Sequence, residues 1–384
     1  MAPSARLGYV VNGSATDLRS WSGLNASILG ALRQNGADVI VADNLTRQVP
    51  LVPRVRRIVH RLAGQQYLLE RDASVVRSWA DAGARVLAQA GEVRTVVLTG
   101  AIPGVELPPR YDLAIWADAT FHALRRTYPG HDRLAPASIR SGDALERRAF
   151  ERARVVCFAS EWAADDAVRV YGVDSGKVCV VPFGAICAPV YADEAEAGAA
   201  IGSRERDVLH LVFSGVDWYR KGGPLVLETA ERLQRAGVAV RVSIAGCVPP
   251  AETRLPAYVE TLGFLDKQDA GQLARWDRLM RSAHLLFVPS RADCFGLVYA
   301  EASAYGVPSV ASDVGGVGSA VRPGGNGVLL PVHASAEQFA DAIAELWHDR
   351  NAYGRLARAS FTEWRTRLNW DVAGRTFLER LALA

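Results

Sequence analysis

Residues 288–316 read V-P-S-R-A-D-C-F-G-L-V-Y-A-E-A-S-A-Y-G-V-P-S-V-A-S-D-V-G-G, and this stretch decides the fold. The apolar run 285–288 that leads into it is short enough for a buried strand. Pro289 and Ser290 end that strand. A helix is expected from near Phe295 to about Tyr305, with Gly306 at the C′ position and Pro308 beyond it. Residues 309–311 form a second short strand. Strand, loop, helix and strand make one unit of a parallel sheet.

The chemistry of the stretch lies in its loop and first helical turn. Backbone N–H groups of Phe295, Gly296 and Leu297 have no acceptor inside the helix. With the helix dipole they offer a place for an anion. Gly296 lets a phosphate come close to the main chain. Asp293 and Glu301 stand eight positions apart, one in the loop and one about two turns into the helix. Carboxylates repel phosphate, so as ligands they point to sugar hydroxyls. The other reading makes Asp293 a helix cap and Glu301 a solvated helix residue.

The stretch resembles the donor-site signature of the family 4 retaining glycosyltransferases, which have the GT-B fold. Their pattern is an acid, any residue, F-G-L-V, two residues and E, then G-x-P and a V-G-G turn. Here D-C-F-G-L-V-Y-A-E is followed by G-V-P and V-G-G. The resemblance implies donor contacts from Phe295, Gly296, Leu297, Val298 and Glu301, and puts Asp293 on the donor sugar. Two departures stand out: the first acid is usually Glu, and Ser319 occupies a place where the family often has Glu.

Composition suits a large enzyme. The chain has 384 residues, enough for two domains, and is 49% apolar. A net charge of +3 gives no case for nucleic acid. The five cysteines show no C-x-x-C and no Cys/His metal spacing, and are expected to be buried thiols in a reducing cytosol. Residues 1–6 run straight into a strand, so no signal peptide is expected. No apolar run reaches membrane-spanning length. Cytoplasmic location follows as an expectation, and the Ala-, Arg- and Val-rich composition points to a bacterial source. Oligomeric state is left open.

In the first half, apolar residues 7–11 are a strand, followed by a long loop N-G-S-A-T-D-L-R-S-W-S-G and a helix over 24–34. Residues 39–41 are the next strand. The loop is not G-x-G-x-x-G, which argues against a nicotinamide site. Ser22 and Gly23 resemble the glycine-containing loop that GT-B enzymes turn toward donor phosphates and acceptor. Residues 54–61, R-V-R-R-I-V-H-R, put an apolar stripe among cations. That stripe suits an anionic acceptor or peripheral contact with anionic lipid, or is a solvated basic face. Strands follow at 95–98 and 113–116. Asp118, Thr120 and His122 come directly after the second, where open α/β sheets bind ligands. His122 has the titration range of a proton acceptor. Residues 155–159 and 178–181 are strands, and F-A-S-E-W-A-A, Y-G-V and K-V-C-V-V-P-F-G-A resemble the last unit of the family's first domain.

In the second half, strand 209–213 precedes S-G-V-D-W-Y-R-K-G-G and a helix over 224–236. Arg220 and Lys221 before a glycine-led helix start suit a diphosphate. Lys221 and Gly222 match the family's K-G. Its preceding Arg is replaced by Val216, and Arg220 is the compensating cation. Strand 240–245 ends at Gly246, and an edge strand runs over 259–264. By resemblance, Gly246, Phe264 and Leu265 lie on the donor, the last two at the nucleobase. Residues 329–331 are the last strand and 336–346 a helix. A tail helix over 372–383 resembles the GT-B helix that returns to the first domain.

The expectation is an α/β GT-B chain with two Rossmann-like domains facing across a cleft. Residues 1–190 bind acceptor, 191–360 bind the nucleotide sugar, and 361–384 pack back on the first domain. The expected reaction moves a sugar from a nucleotide-diphosphate donor to a hydroxyl or amine, and retention comes from the resemblance. The sugar nucleotide is a co-substrate, with no other cofactor and no metal. Asp293, Arg220, Lys221, Asp118 and His122 are the expected catalytic group, with Ser22 and Thr120 on the acceptor. An epimerase or phosphorylase of the same fold, or a two-lobed sugar-binding protein, are the alternatives.

Overall fold

A computed structural model describes residues 6–45, 49–186, 191 and 193–384. The chain divides into two compact units, Met1–Pro182 with Trp370–Ala384, and Phe183–Asn369. The junction expected at residue 190 falls outside the described residues.

The first unit alternates strands and helices: β1 (Arg6–Val10), α1 (Leu24–Gln34), β2 (Asp38–Ala42), α2 (Leu51–Leu62), α3 (Ala73–Gln89), β3 (Thr95–Leu98), β4 (Asp112–Ala117), α4 (Phe121–Thr127), α5 (Pro136–Arg152), β5 (Ala153–Phe158), α6 (Glu161–Tyr171) and β6 (Val178–Val180). Its six strands pair in the order β2-β1-β3-β4-β5-β6, all parallel. Helices on both faces explain why these strands read as continuous apolar runs. Val96, Leu98, Leu113, Ile115, Val156 and Phe158 are fully buried.

The second unit repeats the plan: α7 (Glu194–Gly202), β7 (Leu209–Ser214), α8 (Gly223–Arg235), β8 (Val240–Ala245), β9 (Val259–Gly263), α9 (Ala270–Ser282), β10 (Leu285–Val288), α10 (Leu297–Ala304), β11 (Ser309–Asp313), α11 (Val317–Ala320), β12 (Gly327–Pro331), α12 (Ala336–His348) and α13 (Arg350–Thr366). The sheet order is β12-β11-β10-β7-β8-β9, again all parallel. The last helix, α14 (Trp370–Leu383), belongs to the first unit and packs on α1. Each unit is Rossmann-like.

Three expectations are corrected. The helix placed at Phe295 starts two residues later, because Gly296 at φ 85° is its N-cap in a left-handed conformation. Residues 350–366 are a helix that the sequence reading left unassigned. Not all cysteines are thiols: Cys157 and Cys179 lie opposite each other on β5 and β6 and form a disulfide, their Cα atoms 4.7 Å apart. A separation of 22 residues shows nothing of that pairing until the strand register is known. Cys247 and Cys294 are thiols, and Cys187 lies outside the described residues.

Candidate active site

Strand order creates the principal site. In the second unit the sheet grows outward in opposite directions from β7 and β10, which are neighbours. Loops leaving such a pair diverge and open a crevice at the carboxyl ends of the strands. The loop after β7 holds Arg220 and Lys221, and the loop after β10 holds Asp293. The two loops are tied together. Arg291 donates its backbone N–H to the Arg220 carbonyl at 2.8 Å, and the Arg220 guanidinium donates to the Ala292 carbonyl at 2.8 Å. Gly222, at φ 83°, is needed because a Cβ there would stand 2.2 Å from the Pro289 carbonyl oxygen.

Lys221 and Asp293, both buried, form an ion pair across this junction. The Asp293 carbonyl accepts from the Gly316 N–H at 3.0 Å. A Cβ on Gly315, at φ 57°, would lie 2.1 Å from that same oxygen, so the V-G-G turn clamps the Asp293 main chain. Tyr299 is fully buried and donates its hydroxyl to the Val288 carbonyl at 3.0 Å. Burial pushes that phenol far above its usual range, so it stays a donor.

Glu301 is 3% exposed and pairs with Lys267, whose ammonium also sits 4.3 Å from the centre of the Trp276 ring. The reading of Glu301 as a solvated residue and of Asp293 as a helix cap is therefore set aside. Each acid faces a lysine, so neither stands as an uncompensated charge beside a phosphate. The first-turn amides Leu297 and Val298 have no acceptor within α10, which shifts the expected anion position one to two residues along the chain. Gly246 donates its N–H to the Gly263 carbonyl at 2.8 Å, joining the ends of β8 and β9. Just beyond β9, Phe264 is 59% exposed and Leu265 is buried. Val216 is exposed. Ser319 is buried, and its carbonyl accepts from Arg367 at 2.5 Å.

The first unit carries a separate polar cluster. Trp21 and Ser22 take left-handed backbone angles, φ 48° and 54°, and Gly23 follows at 79°. Consecutive strained residues of this kind persist only where their surroundings enforce them. Trp21 donates its indole N–H to Asp118 at 3.2 Å. His122 Nδ1 lies 2.8 Å from Asp166, which also accepts from the Thr120 hydroxyl. Thr120 is 1% exposed and caps α4 by accepting from the Ala123 N–H. Its side chain is spent on structure, unlike its expected acceptor role. Sequence reading missed Trp21, Asp166 and Lys267. Lys267 directly follows the expected base-binding residues, but Asp166 is one acid on a helix face and only the packing of α4 on α6 selects it. Among the described residues, no group of three His, Cys, Asp or Glu is placed to hold a metal ion.

The chain is similar to known glycosyltransferases. The chain is 33% identical over 240 residues to the D-inositol 3-phosphate glycosyltransferase of Nocardia farcinica, covering 57% of this chain and 52% of that protein. It thus spans about half the length of the curated relatives it matches. Among solved structures it is similar to sucrose-phosphate synthase from Thermosynechococcus elongatus, with a TM-score of 0.69 at 17% identity over 99% of this chain and 100% of that one. It is also similar to WaaG, a glycosyltransferase involved in lipopolysaccharide biosynthesis, with a TM-score of 0.62 at 16% identity over 98% of both chains. At such identities the structural likeness carries the fold, which is GT-B. Residues 200–362, within the second unit and including Lys221, Asp293 and Glu301, match the glycosyl transferases group 1 family.

Proposed function

We propose that this chain transfers a sugar from a nucleotide-diphosphate sugar to a hydroxyl or amine acceptor, with the anomeric configuration retained. The observation that carries the reading is the convergence of Lys221, Asp293, Arg220 and the α10 N-terminus at the crevice between β7 and β10. Glu301 holds the donor ribose diol, with Lys267 pairing with the carboxylate and aiming it. Asp293 takes the donor sugar, Phe264 and Leu265 the nucleobase, and Gly246 the turn beside them. Arg220, Lys221 and the amides of Leu297 and Val298 face the diphosphate. Negative charge grows on that group as the glycosidic bond breaks, and fixed cations and amides stabilise it at the transition state. No metal is required.

The first unit serves the acceptor. Asp118, held by Trp21, and His122, held by Asp166, are its reactive edge, with Ser22 and Gly23 in the strained loop beside them. The curated relatives are named for an inositol phosphate, which makes a phosphorylated cyclitol the first acceptor to try. A cytoplasmic location, and peripheral contact of residues 54–61 with a membrane, belong to the same reading.

The test is a melting-shift panel of nucleoside diphosphates and their sugars, then transfer assays with the sugar nucleotide that binds. Binding with acceptor-dependent release of nucleoside diphosphate supports transfer. Isomerised donor without acceptor, or release that needs inorganic phosphate, replaces it with epimerase or phosphorylase chemistry. Binding of sugars with no turnover makes the chain a carrier.

A further inference from the structure

Helix α2 is turned inside out relative to an ordinary surface helix. Its apolar residues Leu51, Val52, Val55, Ile58, Val59 and Leu62 form one stripe, and all are 58% to 84% exposed. Its polar side holds it to the protein instead. Arg56 pairs with Asp72 at 3.0 Å, and the His60 ring stacks on Tyr67 with centroids 5.0 Å apart. Pro53 is its one buried residue. At 100° per residue, Arg54, Arg57 and Arg61 flank the stripe on one side and Arg56 on the other. The helix holds four arginines, one histidine and no acid.

We propose that α2 docks the first unit on an anionic membrane surface, the apolar stripe entering the acyl–headgroup boundary and the arginines meeting lipid phosphates. Twelve residues make about 18 Å of helix, too short to span a bilayer but suited to lie in its interface. Six outward apolar side chains exceed what a solvated basic face needs. Charge selects the occupant. A second copy seated on this stripe sets four arginines against four arginines with no acid on either helix, whereas an anionic bilayer complements both the stripe and its border. A groove of about 860 Å³ between α2 and α3 continues the cationic border through Arg56, Arg77 and Arg85, against Asp72 and Asp81, and is large enough for a headgroup. The inference rests on the membrane contact proposed above and gives it a face, an insertion mode and a lipid charge. It needs nothing from the crevice at Lys221 and Asp293.

Flotation of the full chain with vesicles tests it. Vesicles of phosphatidylcholine mixed with phosphatidylglycerol carry the protein upward, and high salt weakens the binding. Ile58→Ser with Val59→Ser lowers vesicle affinity by roughly 30-fold, from about 1 kcal/mol per partly inserted side chain. Arg57→Gln with Arg61→Gln lowers it by roughly 30-fold on the anionic vesicles alone. The proposal is overturned if the wild type stays at the bottom with anionic vesicles, or if I58S/V59S floats as well as the wild type. A solution dimer that I58S/V59S dissociates also overturns it, in favour of a second copy. Both variants keep the nucleoside-diphosphate melting shift of the wild type. Flotation without any such shift leaves docking standing and removes the transfer reading.

Discussion

At the scale of single residues, Lys221 is both a proposed diphosphate ligand and a member of a buried ion pair. From sequence alone, Lys221→Ala is expected to lower turnover and leave folding intact. The structure revises this, because Lys221 is the partner of buried Asp293. Removing one member of a buried pair strands the other, at a cost of about 3 to 5 kcal/mol. Lys221→Ala is therefore expected to lose about 3 kcal/mol in urea denaturation as well as diphosphate binding. Lys221→Met with Asp293→Leu recovers most of the stability and none of the binding. A stable Lys221→Ala protein would show that the pair does not form. Arg220 differs, since its guanidinium meets a carbonyl at the loop edge. Arg220→Ala is expected to lower kcat about 100-fold, the usual loss for one transition-state donor, with a small change in melting temperature. On the proposed reading, in which cations and amides take the role a metal has elsewhere, chelator is expected to leave turnover unchanged; activity lost to chelator and restored by a divalent cation refutes it.

At the scale of elements, the amino ends of β7 and β10 hold a buried histidine pair. His284 Nδ1 accepts from the His210 N–H at 2.9 Å, while His284 Nε2 lies 2.7 Å from the Glu205 carbonyl and serves as donor. His210 Nε2 lies 2.7 Å from the Ser243 hydroxyl, beside Arg241. Burial pushes both imidazoles down from 6.5 to about 4. The unfolded chain then binds protons that the native pair refuses. Stability is full above pH 6.5, falls as pH drops toward 4, and is lost by about 3 kcal/mol per histidine at the bottom of that window. Urea midpoints measured from pH 7.5 to 4 are expected to show this slope, and Arg241→Gln, which removes a like charge, to make it shallower. A flat profile above pH 5 would contradict the burial argument.

At the scale of the whole chain, the first unit is completed by residues that arrive last. Trp116, fully buried in β4, stacks on Phe377 with centroids 4.9 Å apart, and Trp370 meets its edge at 5.9 Å. Asn35 at the end of α1 donates to the Asp371 carbonyl at 3.2 Å. The final helix therefore belongs to the core of the opening domain. Phe377→Ala is expected to cost about 3 to 5 kcal/mol in that unit and little in the other. Calorimetry resolving two transitions checks it: only the transition of residues 1–182 should fall. Equal depression of both transitions would mean that the units melt as one.

All twelve strands among the described residues were legible from the sequence, because a strand covered by helices on both faces must be apolar along its length and bounded by turn residues. The turn at Gly296 and the two acids beside it were legible too, since Gly296 and the F-G-L-V-Y-A-E run lie within one loop and one helix. What is local in the chain is written in residue order. The partners of those residues are not. Lys221 meets Asp293, Lys267 meets Glu301, His122 meets Asp166, and Cys157 meets Cys179 only because strand order and helix packing bring distant segments together. The outward turn of the α2 stripe was likewise open between a solvated and a docked face, since periodicity defines which residues share a face but not which way that face points. Sequence determined the strands and the local chemistry of the loops; tertiary structure decided the pairings, because charge compensation and burial depend on neighbours in space.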